Sequence, residues 1–215
     1  MPTQSLFAVY LFAVAVSLGA VISPGPVTAA IVSESPRQGW RVGPLVASAH
    51  VLLELVIVVL IALGLASGLA TPGISRTIAL GGGVILLAIG ASYLVGLWRG
   101  SIQLPHASDD QPPRSTASLL SLGLFTTISN PYWYAWWVTV AAGYLTQAGD
   151  LGPIGPAVFY LGHISTDFAW DTALSTASGA SRRWLTQRVY RAIILLTAVF
   201  MLYFGLVFLK AGWTG

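Results

Sequence analysis

The sequence predicts an all-α polytopic membrane protein: six transmembrane helices forming two inverted three-helix repeats, with helices one and four broken. Three observations predict it. Of 215 residues, 55% are hydrophobic and only 8% charged, against about 25% charged in an ordinary soluble domain. Mean hydropathy is +0.78, and apolar runs approach or exceed the roughly 20 residues needed to cross a bilayer. Proline-centred breaks recur at related places in the first and fourth runs. This composition excludes a soluble enzyme and a disordered chain. Ten Lys+Arg against seven Asp+Glu are too few for a phosphate-binding face, so no nucleic-acid partner is expected. The chain has no cysteine, which removes disulfides and thiolate chemistry.

The first span runs from Leu6 to about Ile22 and continues past Pro26 to about Val32. No Lys or Arg lies in Met1–Ser5 and no cleavage pattern follows, so it reads as a retained span, not a signal peptide. The second runs from Gly43 to Gly68, the third from Thr77 to Trp98, and the fourth from Ser118 to about Leu145 with a break near Asn130. The fifth runs from Ile154 to about Ser178 and the sixth from Tyr190 to Lys210. The longest connection, Arg99 to Ala117, holds His106, Asp109, Asp110, Pro112 and Pro113 and reads as a polar loop. The expected organisation is a first repeat over 1–98, this loop over 99–117, and a second repeat over 118–215. Loops after spans one, three and five carry Arg37, Arg41, Arg99, Arg114, Arg182, Arg183, Arg188 and Arg191, whereas the other side carries Arg76 and Lys210. Short-loop charge of this asymmetry places the first set in the cytoplasm and both termini outside.

The halves resemble each other. Ser23-Pro24-Gly25-Pro26 interrupts span one and Ser129-Asn130-Pro131 interrupts span four. Span two opens with Gly43-Pro44 and then carries His50 and Glu54; span five opens with Gly155-Pro156 and then carries His163 and Asp167, with offsets that differ by one residue. Three spans per half is an odd number, so the second half enters the membrane inverted, a pattern of secondary carriers. Single prolines commonly just kink membrane helices. Breaks at related places in both halves favour a functional reading, because backbone groups freed in the bilayer are tolerated where they line a wet cavity or are buried in protein.

Ionisable groups inside a bilayer are costly and usually face the bundle interior. Here they are His50, Glu54, His163, Asp167 and Asp171. His50 and Glu54 share one face of span two, and His163, Asp167 and Asp171 form an i, i+4, i+8 stripe on span five. At 1.5 Å per residue, Glu54 lies roughly 16 Å and Asp167 roughly 20 Å into their spans, near the midplane. Three readings fit these groups: a structural polar cluster, a proton relay of imidazoles and carboxylates, and a divalent-metal site with nitrogen and oxygen ligands. Two His-x-x-x-acid pairs in matching halves favour function, and spacing alone does not separate relay from metal.

Other residues carry weaker signals. Tyr132, Trp133, Tyr134, Trp136 and Trp137 follow the second break; such clusters usually mark the membrane interface, but their closeness to Asn130 makes Trp133 a candidate wall of a substrate cavity. Thr126 and Thr127 are placed to bond backbone at the break. Glu34, beside Arg37, reads as a surface pair rather than a gate. Gly81-Gly82-Gly83, Gly90 and Gly96 permit close packing in span three and offer a homodimer contact; with no lysine following, they are no phosphate loop.

Ser23-Pro24-Gly25-Pro26, Arg41-Val42-Gly43, Glu54 and Asn130-Pro131 together resemble the lysine-exporter (LysE/RhtB) family of amino-acid exporters, over nearly the whole chain. The resemblance implies a six-span inner-membrane carrier, free of cofactors, that expels amino acids or related solutes using the proton gradient. Pro24, Gly25, Pro26, Glu54, Asn130 and Pro131 match its pattern. Members often have aspartate, preceded by glycine, where this chain has Leu53-Glu54; His50 is an addition, and the wider superfamily includes metal exporters. The expected function is therefore proton-coupled export of a small amino acid by alternating access. Pro24, Gly25, Pro26, Thr127, Asn130, Pro131 and Trp133 would hold the substrate, and His50, Glu54, His163, Asp167 and Asp171 the coupling proton. The alternatives are divalent-cation export through those same five residues, and a membrane scaffold or intramembrane enzyme. The last has little support, since no Ser-His-Asp order and no His-Glu-x-x-His is present.

Overall fold

A computed structural model describes residues 5–63, 72–103, 112–180 and 186–214. His106, Asp109, Asp110, Arg182, Arg183 and Gly68 lie outside these residues. Among the described residues all regular structure is helical. The chain runs through α1 (Leu6–Val21), α2 (Pro26–Gln38), a 3₁₀ turn (Gly39–Arg41), α3 (Val42–Ala62), α4 (Pro72–Trp98) and α5 (Thr116–Ile128). It continues through α6 (Pro131–Ala135), a π-helical stretch (Trp136–Ala141), α7 (Ala142–Ala148), a 3₁₀ turn (Gly149–Leu151), α8 (Ile154–Ala180) and α9 (Gln187–Thr214). By length and composition, Pro26–Ile61, Pro72–Trp98 and Gln187–Thr214 can cross a membrane, and Leu6–Val21 and Thr116–Ile128 are shorter apolar helices.

Local chemistry sets the helix ends. Ser5 and Ser115 accept from the backbone N–H of Ala8 and Ser118 and so cap α1 and α5. Between α1 and α2 the chain leaves the helix at Ser23–Gly25 and restarts at Pro26, where a missing N–H costs nothing. Ser23 Oγ donates to Gly19 O at 2.8 Å, so α1 ends with a side-chain bond to one of its last carbonyls. Between α5 and α6, Asn130 is the N-cap and its Oδ1 accepts from Tyr132 N at 3.1 Å. Thr126 and Thr127 bond carbonyls one turn back, at Leu122 and Gly123; Ser129 Oγ is the hydroxyl that satisfies a carbonyl at the break, that of Thr126.

The packing is inside-out relative to a soluble protein. Large apolar side chains such as Phe7, Leu52, Phe125, Leu196 and Leu206 point outward, while Ser17, Glu54, Thr127, His163, Asp167 and Ser175 are buried. Such a surface suits lipid as solvent. α8 is central and packs on α1, α2 and α3; α3 also packs on α5; α4 and α9 form a separate, extensive pair. Glycines bring the backbones together. A Cβ on Gly43 would strike Asp171 O and Ser175 Oγ, one on Gly123 would strike Val46 O, and one on Gly162 would lie 2.7 Å from Tyr10 O. Gly83 and Gly90 face Gly205 O and Ala198 O across the α4–α9 seam. These two glycines, offered by the sequence for a homodimer, are used within the chain. Gly81 faces open space.

Glu34 departs from its sequence reading. It is buried, and beyond Arg37 it takes Gln38 Nε2 at 3.1 Å and Arg114 Nε at 3.0 Å. Arg114 lies 80 residues on, so the carboxylate ties α2 to the segment entering α5, a partner that local spacing does not reveal.

Candidate functional site

The two breaks meet. A Cβ on Gly25 would sit 3.8 Å from Asn130 Nδ2. Beside them lies a cavity of ≈ 70 Å³, room for on the order of five waters. Its walls are the end of α1 (Ala20, Val21), the first break (Ser23, Gly25), the first turn of α2 (Val27, Thr28), and Asn130, Tyr132, Trp133 and Trp136. Its ionisable groups are His50 and Glu54 from α3 and His163, Asp167 and Asp171 from α8. All five titratable residues expected from the sequence therefore reach one cavity, together with Gly25, Asn130 and Trp133. Pro24 and Pro26 flank the wall residue Gly25 without themselves lining the cavity, and Pro131 begins α6 directly after Asn130.

Glu54 organises the site. It is 1% exposed, and its Oε1 gathers four nitrogens: His163 Nε2 at 3.0 Å, His50 Nε2 at 3.1 Å, Trp137 Nε1 at 3.0 Å and Trp133 Nε1 at 3.2 Å. The indoles are fixed donors. Trp133 and Trp137 are one turn apart and present both N–H groups to the same oxygen. Asp167 Oδ2 lies 3.4 Å from His163 Nε2. Glu54 Oε2 and Asp167 Oδ2 are buried and make no hydrogen bond. Trp136 stacks on the His163 ring with centroids 4.5 Å apart and Trp137 meets it edge-on at 5.0 Å, so this imidazole is clamped by aromatic surface. Asp171 lines the cavity one turn beyond Asp167 and has no ion-pair partner among the described residues.

Each histidine is held from behind by a hydroxyl of the other half. His50 Nδ1 lies 2.8 Å from Thr127 Oγ1, and His163 Nδ1 lies 2.6 Å from Ser17 Oγ. The Thr127 hydroxyl donates to Gly123 O at 2.7 Å. Its hydrogen is thereby used, so His50 Nδ1 must donate and the remaining nitrogen, Nε2, faces Glu54. In a neutral His50 this nitrogen carries a lone pair, and it confronts a carboxylate oxygen; the contact is attractive only with a cation or proton between them. Thr127, expected from the sequence to hold substrate, lies behind His50 instead of on the cavity wall and acts as its orienting group. Ser17, Trp136 and Trp137 were not expected. A serine in an apolar helix reads as bonding its own backbone, and the tryptophans read as part of an interfacial belt.

The chain matches the LysE type translocator family over residues 8–212. It belongs to that family. No curated protein and no solved structure gives a significant match to the chain. A LysE type translocator is a membrane transport protein, and in this one the buried carboxylates converge on a small cavity between helix ends. Thr127→Val, close in shape, should leave the His50 Nδ1–H without an acceptor and destabilise the protein by about 1–3 kcal/mol; thermal unfolding in detergent measures it, with Ser121→Ala, an exposed hydroxyl that bonds only Ala117 O, as the neutral comparison.

Proposed function

We propose that this LysE type translocator exports a small amino acid or related solute across the inner membrane by alternating access, coupled to inward proton movement. The observation that carries the reading is Glu54: a buried, cavity-lining carboxylate with one oxygen held by His50 of its own half and by Trp133 and His163 of the other, and a second oxygen that makes no hydrogen bond. The solute's ammonium group takes Glu54 Oε2 and Asp167 Oδ2. Its carboxylate takes the N-terminal turn of α2, whose cap Gly25 provides no side-chain bond and whose Val27 and Thr28 line the cavity. Asn130, Trp133 and Gly25 shape the space between. The proton is carried by Glu54, Asp167 and the two imidazoles, with Asp171 extending the path along α8.

Residues 1–98 and 118–215 are the moving halves, read as inverted three-span repeats around broken spans one and four, with 99–117 as the connection. The packing pattern supports this. Exchanging the halves turns the α1–α8 contact into the α5–α3 contact and leaves the α3–α8 and α4–α9 contacts as they are. The hydroxyl–imidazole pairs Ser17–His163 and Thr127–His50 exchange in the same way. Rocking one half on the other opens the cavity alternately to each side. The Glu34–Arg114 tie joins the first half to the connection on the side where the loops carry most of the arginine, assigned here to the cytoplasm.

The test is efflux from proteoliposomes with a panel of amino acids, with and without an imposed pH gradient. Gradient-stimulated efflux of at least one amino acid is expected; a gradient without effect on any of them would end the proton-coupled reading. Orientation is checked separately: a reporter fused to the C-terminus should be active only outside the cytoplasm.

A further inference from the structure

We propose that the cavity binds one divalent transition-metal ion, held by His50 Nε2, a Glu54 carboxylate oxygen and an Asp167 carboxylate oxygen. One ligand atom from each of these residues lies within 4.8 Å of the other two. Metal–ligand bonds of about 2.0–2.2 Å place tetrahedral ligands about 3.3 Å apart, and His50 Nε2 and Glu54 Oε1 are 3.1 Å apart. The third ligand atom, from Asp167, lies within 4.8 Å of the other two.

The chemistry behind the first ligand points the same way. A metal-binding imidazole characteristically donates its other N–H to a fixed acceptor, which sets the ring's orientation and raises its basicity. His50 has that support: Nδ1–H to Thr127 Oγ1, and the Thr127 hydroxyl to Gly123 O. Its remaining nitrogen, Nε2, then faces a carboxylate oxygen, a contact that is attractive with either a proton or a metal cation between the two. Glu54 Oε2 and Asp167 Oδ2 are buried without hydrogen-bond partners, on side chains that line the cavity. His163 stays outside the coordination shell, hydrogen-bonded to Glu54 and clamped under Trp136. One nitrogen and two carboxylates suit zinc, cobalt or manganese; calcium requires six to eight oxygens and magnesium a near-octahedral oxygen shell. Three protein ligands leave a coordination position open for water or another small ligand.

The ion takes the same Glu54 and Asp167 carboxylates that the exporter reading gives to the solute's ammonium group, so the two compete for one site, and metal binding is tested on purified protein without transport. Tag-free protein in detergent is titrated with Co²⁺ and followed by visible d–d absorption, and the Zn²⁺ content is measured after desalting. One equivalent per chain is expected, with the intense bands of a four-coordinate ion. His50→Gln and Asp167→Asn should each weaken binding by about tenfold or more, while Glu34→Gln, at the distant α2–α5 tie, leaves it unchanged. Size-exclusion profiles establish that each variant is folded. Wild-type protein without stoichiometric Co²⁺ overturns the proposal, whatever the variants do; so does wild-type affinity in both ligand variants. Gradient-driven solute efflux by a protein that binds no metal would defeat this inference and leave the exporter reading standing, and metal binding without solute efflux would do the reverse.

Discussion

Glu54→Gln is expected to reduce gradient-driven efflux by about a hundredfold or more while the protein still folds. The amide keeps one oxygen, which continues to accept from Trp133 Nε1 and Trp137 Nε1, now 3.2 and 3.0 Å from Oε1. The aromatic packing around His163 has no reason to change. What disappears is the charge. A hydrogen bond to a charged group contributes about 1.5–3 kcal/mol, and the solute's ammonium loses one at the very place where Glu54 Oε2 has no protein partner. The amide nitrogen placed there is itself a donor and repels the ammonium. Exchange of the coupling proton is lost with it. The measurement is efflux per folded molecule, normalised to the monodisperse peak, in proteoliposomes with an inward proton gradient. Wild-type efflux by Glu54→Gln would refute both roles assigned to this carboxylate. Asp167→Asn should be impaired in the same direction. It is the less connected of the two acids, facing His163 Nε2 at 3.4 Å.

Gly43→Ala should have a large effect on folding for the addition of a single methyl group. The new Cβ would collide with the backbone oxygen of Asp171 and with Ser175 Oγ. Neither can retreat easily: the first belongs to a helix, and the second donates to Trp40 O at 2.7 Å. Helix α3 must therefore lift away from α8. Overpacking of this kind costs about 1–3 kcal/mol, and the displacement also pulls His50 and Glu54 away from His163 and Asp167. The expected result is a marked drop in thermal stability together with loss of efflux. Gly81→Ala is the counter-case. That position meets open space, and replacing glycine inside a helix gains up to about 1 kcal/mol, so stability should hold or rise. Equal behaviour of the two variants would mean that the close α3–α8 approach is not what positions the site.

Much of the site was legible in the sequence because its carriers are expensive. A carboxylate or imidazole in an apolar run needs a reason, and the four-residue spacing of His50–Glu54 and His163–Asp167 puts each pair on one helical face. The helix ends at Pro26 and Pro131 were equally legible, since proline states its own constraint. What could not be read was set by contacts between distant helices. Ser17 becomes significant only because α1 packs on α8 at the right height to meet His163. Trp137 is a core donor instead of a belt residue only because α6 and the stretch after it turn toward α3. Arg37, three residues on, completes Glu34 by local spacing, but the shorter contact is with Arg114, supplied by the connection between the halves. One sequence gives the face a residue occupies on its own helix. The relative height and rotation of two helices depend on the close approaches made at Gly43, Gly123 and Gly162, and a glycine announces room without saying who fills it.

The π-helical stretch from Trp136 to Ala141 has a consequence for how the chain tolerates change. A wider helical turn holds one residue more than an α-turn would, so it uncouples the angular phase of what comes before from what comes after. The tryptophans can be aimed at Glu54 while Leu145 and Ala148 are aimed independently at their neighbours in the core. Deleting one residue between Val138 and Ala141 would restore a plain α-helix and leave the faces of α7 nearly where they are, because the wider turn is what accommodates the extra residue; the same deletion inside α7 would rotate everything after it by about 100°. This short window therefore absorbs a one-residue change in length that the flanking helices could not, and the cavity on one side of it and the core contacts on the other keep their places.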